Sequence, residues 1–157
     1  MSCVMRDPAN RIVKSGCGPG KTWLIDTIAK TGFFAHADLL SPEETERVVT
    51  GAGDADDHRN RAAYVLFVRS DIEQLGQEGR FWFARCGLDA ALYDANERRI
   101  RKTYQTARDK GGHPKEGDAA SKACERPKSD LSTWVEDQLT AIASEEPRSS
   151  STVSEKK

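Results

Sequence analysis

Apolar side chains in this 157-residue chain crowd between residues 20 and 110, and inside that stretch they recur mostly at intervals of three and four. Helical geometry of 3.6 residues per turn puts such positions on one face, which must be buried against another element. Beyond Lys110 large apolar residues are rare until Leu131. A segment without them cannot offset an ordering cost of ~1–2 kcal/mol per residue. One packed domain with a poorly packed C-terminal end is therefore expected. The hydrophobic share of 37%, below the ~45–50% of ordinary globular chains, fits that picture.

The spacing resolves into four stripes. Trp23, Leu24, Ile25, Ile28 and Ala29 predict a helix from Lys21 that Gly32 stops. Ser41-Pro42-Glu43-Glu44 is a capping-box sequence that opens a second, ending near Gly51 or Gly53. Val65, Val68, Ile72 and Leu75 form a third stripe, ending at Gly76. Phe81, Ala84, Leu88, Leu92 and Ala95, extended by Ile100 and Tyr104, predict the longest helix. The expected fold class is all-α, a small bundle of about four helices over residues 20–110, with Leu24, Val68, Ile72, Phe81, Leu88 and Leu92 in its core. The rival is an α+β fold. Tyr64, Val65, Phe67 and Val68 all favour strands, and Tyr64–Val68 could pair with Phe81–Arg85 in a hairpin.

Around that domain, residues 1–19 read as an irregular N-terminal segment, because Pro8, Gly16, Gly18 and Pro19 are turn formers; within it only Arg11–Lys14 could be a short strand. Residues 111–128, with Gly111, Gly112, Pro114 and Gly117, read as a flexible linker. Residues 129–144 read as a tethered amphipathic helix and 145–157 as a disordered tail.

Charge excludes some functions. The 24 basic and 25 acidic residues nearly cancel, so no whole-molecule field draws the chain to nucleic acid, an anionic membrane or an acidic substrate. Residues 42–57 nevertheless carry six acids against one Arg, and 58–110 carry eleven bases against seven acids. The N-terminus has no apolar stretch of signal-peptide length and nowhere is there a run long enough to span a membrane. Cys3, Cys17, Cys86 and Cys124 lie far apart with no C-x-x-C. The expectation is an intracellular, cytoplasmic or nuclear chain with four reduced thiols.

Three motifs are candidate sites. Ser15-Gly16-Cys17-Gly18-Pro19-Gly20-Lys21-Thr22 is one residue from a P-loop, with Ser where the first Gly belongs. In that reading loop amides at Gly18 and Gly20 cradle phosphates, Lys21 reaches the terminal phosphates and Thr22 holds Mg²⁺. Mg-nucleotide is the one cofactor this implies. The reading requires a buried parallel strand just before the loop, and residues 11–14 are short and polar for one. The second motif is the basic run Arg98, Arg99, Arg101, Lys102 and Arg108 with Tyr104 among them, which could track phosphates while the ring stacks on a base. A solvated helix end would look the same. The third is the apolar stripe Leu131, Trp134, Val135, Leu139 and Ile142, suited to a partner's groove or to the parent domain.

Histidines, cysteines and acids lack metal-ligand spacing, and no nucleophile has a base at a recognisable distance. No catalytic or metal site is assigned. The expected function is non-enzymatic: a regulatory or adaptor protein that binds another protein, such as an accessory protein of a virus or mobile element. Nucleic-acid binding through Arg98–Lys110 and nucleotide binding at Ser15–Thr22 are the alternatives.

Overall fold

A computed structural model describes residues 1–15, 20, 22–33, 35, 41, 43–44, 47 and 62–145. In chain order the elements are β1 (Ser2–Arg6), β2 (Ile12–Ser15), α1 (Thr22–Lys30), β3 (Tyr64–Glu78), β4 (Phe81–Asp94), β5 (Arg99–Gln105), β6 (Asp109–His113) and α2 (Glu116–Glu145). They build a mixed sheet of order β2-β1-β3-β4-β5, in which β6 also pairs with β4. Pairing is antiparallel except between β1 and β3. Cys86 and Ala84 of β4 face β6, while Asp89 to Asp94 face β5. The two short strands thus share one lane along the long one.

The all-α expectation is corrected. Two helices accompany the sheet among the described residues, and the stretch read as the third and fourth helices is a long β hairpin. Its turn is at Gly79, where φ is +62°, a conformation that suits glycine. The hairpin also differs from the rival reading. Tyr64 pairs with Asp94 and Val68 with Ala90, not with Phe81–Arg85, which lie opposite Glu78 to Glu73.

Alternation explains the strands. Tyr64, Leu66, Val68, Ser70 and Ile72 point to one face, as do Ala84, Cys86, Leu88, Ala90 and Leu92 opposite them. This face is covered by α2, whose Ala119, Ala123, Cys124, Leu131, Val135, Leu139 and Ile142 are buried in the same core. On the other face Phe67, Ala91, Tyr93 and Ala95 form a smaller buried cluster with Val65 and Ile100 against it. Phe81, expected in the core, is 44% exposed near the hairpin turn.

Residues 1–15 are not irregular and residues 116–128 are not a linker: the first supply β1 and β2, the second the first half of α2. That half packs by close approach. Gly111 of β6 meets the helix so tightly that an added Cβ would lie 2.2 Å from the backbone nitrogen of Ala123. A buried disulfide joins Cys86 of β4 to Cys124 of α2. Helix α1 follows its sequence signals, with Gly32 at φ +84° donating to the Ala29 carbonyl after its end. It packs on α2, where the Thr27 and Ser132 hydroxyls lie 3.2 Å apart. The capping box forms too: Glu44 N–H donates to Ser41 Oγ and Ser41 N–H to Glu44 Oε2. Most of the helix it would open, and residues 146–157, lie outside the described residues.

Candidate functional site at the open sheet edge

The sheet has two edges of different character. On one side β5 and β6 carry Arg99, Arg101, Lys102, Asp109 and Lys110, the charged side chains that guard a strand edge against pairing with another chain. On the other side β2 carries one charged residue, Lys14, after two exposed apolar ones. Ile12 is 61% exposed and Val13 52% exposed, and β1 is the one strand beside β2 among the described residues. Both residues are β-branched, so the strand conformation costs them little. Consecutive strand residues point to opposite faces, so apolar surface flanks a row of backbone donors and acceptors on both sides.

The turn before β2 is fixed locally. Asp7 accepts hydrogen bonds from the Arg11 backbone N–H and from Arg11 Nε, both at 2.8 Å. The backbone N–H of Arg11 first, and its guanidinium second, hold the Asp7 carboxyl below its ordinary value of 3.8. Asn10 sits at φ 62°, the left-handed region that asparagine tolerates. Asp7 N–H also donates to the Arg11 carbonyl at 2.9 Å. These contacts direct the chain back along β1 into β2.

On the sheet face away from α2, odd-numbered residues of β3 and β4 form a ladder of opposite charges. Arg69 meets Asp89 at 2.6 Å, Arg85 meets Glu73 at 3.3 Å, and Asp71 takes both Arg6 at 3.5 Å and Arg108 at 3.1 Å. Arg108 reaches Asp71 by crossing Gly87, where an added Cβ would lie 3.0 Å from its Cγ. Each carboxylate is matched to a cation, which is the signature of a neutralised surface rather than of a proton-transfer site.

The residues singled out in the sequence are dispersed. Gly18 and Lys21 lie outside the described residues; Gly20 has φ +76°, and Thr22 is the exposed first residue of α1. The strand preceding that loop, β2, is an antiparallel edge strand, whereas a phosphate-binding loop is carried by an interior parallel strand. Of the basic run, Arg98 occupies the turn before β5 at φ 54°, and Arg99, Arg101, Lys102 and Tyr104 lie on β5 instead of a helix. Arg99 pairs with Glu97, Arg101 with Asp94 and Glu145, and Arg108 with Asp71. The hydrogen bond to Glu145 holds the Arg101 guanidinium still more firmly protonated. Tyr104 stacks on Trp134, centroids 5.3 Å apart and planes 10° apart. Of the apolar stripe, Leu131, Val135, Leu139 and Ile142 are buried against the sheet and Trp134 is half-buried. That face is used inside the chain. The sequence reading allowed a short strand at Arg11–Lys14 but assigned no binding role to Ile12 and Val13, a β-branched pair between the turn formers Pro8 and Gly16.

Among the described residues no group of three or more His, Cys, Asp or Glu is placed to hold a metal ion, and no helix is long and apolar enough to cross a membrane. Cys86 and Cys124 form a disulfide and Cys3 is disulfide-bonded as well. Such bonds persist in oxidising compartments and are rare in the cytosol. The expectation of an intracellular, cytoplasmic chain with reduced thiols is corrected accordingly.

No protein-family model matches the chain, and no curated protein matches it. Solved structures do. A candidate lipoprotein from Caulobacter crescentus is similar at 16% identity and a TM-score of 0.32, over 66% of this chain and 82% of that one. A lipoprotein from Neisseria meningitidis is similar at 11% identity and a TM-score of 0.34, over 88% of this chain and 94% of that one.

Proposed function

We propose that the protein acts without catalysis, as a binding module for another protein, and that the partner presents an extended segment to the outer edge of β2. The observation that carries this reading is the exposed apolar pair at the edge of β2, Ile12 at 61% and Val13 at 52%, beside the single charge of Lys14, whereas β5 and β6 carry five charged residues between them. In strand addition, main-chain hydrogen bonds provide affinity and alternate side chains provide selectivity.

Size argues against a second copy of this chain as the occupant. Four residues of β2 extend only ~13 Å at ~3.3 Å per residue. Two such strands bury roughly a few hundred Å², short of the ~1,000 Å² a stable interface needs. A heterologous partner can add contacts beyond the strand.

The test is selection of displayed peptides on the full-length protein, followed by binding to Val13→Lys. The reading expects selected peptides with alternating apolar residues, and at least about tenfold weaker binding to the variant, equivalent to about 1.4 kcal/mol. Peptides that bind Val13→Lys as tightly as wild type would remove β2 from the interface.

A further inference from the structure

Strand β6 ends at His113, and α2 begins at Glu116. Between them Lys115 caps the helix: its carbonyl accepts from the Asp118 N–H at 3.2 Å and from the Ala119 N–H at 3.3 Å. Its own N–H is one of the amides that a helix start leaves without an intrahelical acceptor. His113 supplies that acceptor, because the Lys115 N–H donates to His113 Nδ1 at 3.1 Å. The Asp118 carboxylate stands at the same ring nitrogen, with Oδ2 3.4 Å away.

A single nitrogen serves these two partners only in turn. To accept from Lys115, Nδ1 must be unprotonated, which fixes the neutral ring as the tautomer with its proton on Nε2. In the charged ring both nitrogens are donors, so Nδ1 can no longer take the Lys115 N–H and points a proton at the carboxylate. The two contacts therefore belong to two protonation states. Histidine is the side chain whose charge ordinarily changes between about pH 5 and pH 8.

The surroundings single out Asp118 as the partner of the charged ring. Strand β4 sets the uncharged Trp82 opposite His113, with Arg80 two residues before it. On the ring's own strand Lys110 lies over Phe83. On α2 the Glu116 carboxylate accepts from Gln74, and Lys122 is paired with Glu125. The helix dipole disfavours a cation at its N-terminus, so the Asp118 carboxylate is what offsets a charged ring there.

We infer that His113 is a pH-operated switch at the start of α2: the neutral ring holds the Lys115 amide, and the protonated ring releases it and bonds to Asp118 instead. The inference is independent of strand addition at β2, since it is read in the free protein.

The experiment follows the ring nitrogens of His113, the Lys115 amide and the Asp118 carboxyl carbon by NMR of the full chain between about pH 8 and pH 5, with His113→Gln as the assignment control. The expected result at the upper end is an unprotonated Nδ1. On acidification the Lys115 amide proton should move upfield as its hydrogen bond is lost, and the Asp118 carboxyl carbon should move with it, both following the His113 transition. In His113→Gln both steps should vanish. The two side chains are 38% and 56% exposed, so His113→Gln keeps the fold. Any of four results overturns the inference: a proton on Nδ1 in the neutral ring, a Lys115 amide that does not follow His113, an Asp118 carboxyl that does not follow it, or steps that persist in His113→Gln.

Discussion

Replacing Cys86 and Cys124 together by alanine removes the one covalent link between the sheet and α2 seen among the described residues. Their sequence separation of 38 sets the size of the effect. Closing a loop of that length lowers the entropy of the unfolded chain by about 13 cal/mol/K, or about 4 kcal/mol near 25 °C. Domains are typically stable by only ~5–15 kcal/mol, so the loss is a large fraction of the total. Both cysteines are essentially buried, at 0% and 1% exposure, and alanine fills the space less well, which adds to the cost. With a urea slope of about 2 kcal/mol/M, the unfolding midpoint of the double variant should fall by about 2 M. The assay is urea unfolding of wild type and variant, followed by tryptophan fluorescence. The variant is preferred to a reductant because reduction would also open the bond at Cys3. A midpoint shift below about 0.5 M would refute the reasoning, since it would mean that the bond does not constrain this loop in the folded protein.

Further expectations concern single positions. Ser70 is fully buried and its Oγ has no hydrogen-bond partner among the described residues, so Ser70→Ala should leave thermal stability unchanged or raise it by about 1 kcal/mol; a loss of that size would reveal a partner. Gly111→Ala drives a methyl into the Ala123 backbone and should cost about 3 kcal/mol in urea unfolding, with wild-type stability counting against the helix-to-strand contact. Asp7 should titrate below 3.8 in a carboxyl NMR titration. Because its folded value is depressed, ionised Asp7 favours the fold above the unfolded value, and that contribution disappears as pH falls through the folded one. Arg11→Ala keeps the backbone N–H and removes the guanidinium, so it should move the midpoint part of the way towards 3.8, and no movement would exclude the guanidinium as a cause.

The misreading of the hairpin has an arithmetic cause. Val68 and Ile72, and Ala84, Leu88 and Leu92, are spaced by four, an interval that fits one helix face and one strand face equally. The intervening Cys86 and Ala90, small and buried at 0% and 1%, complete a period of two that outweighs the helical stripe once they are counted as apolar. The start of β3 obscured the period because Val65 and Phe67 pack on the second face while Leu66 and Val68 pack on the first. The charges of Arg69, Asp71 and Glu73, between the apolar positions of β3, pair with cations and acids on neighbouring elements.

Residues 116–128 looked like a linker because they contain almost no large apolar residue. The structure replaces bulk with proximity: Ala119, Ala123, Cys124 and Pro127 are buried against strands that carry Gly111 and Gly112. Neither the disulfide nor the glycine contact is a local sequence property, since each depends on a partner more than ten residues away. Features that are local, the Gly32 stop and the Ser41–Glu44 capping box, were legible. At the site, exposure of Ile12 and Val13 depends on which strand lies at the edge of the sheet, and that is set by topology.

The central claim is that β2 is the surface where a partner strand adds. Amide hydrogen exchange of the full chain, resolved at Ile12 and Val13 with and without a selected peptide, tests it most directly. The account predicts rapid exchange at the outward-facing amide of β2 in the free protein and strong protection on binding. Protection confined to the Tyr104–Trp134 side of the molecule, with β2 unchanged, would contradict it.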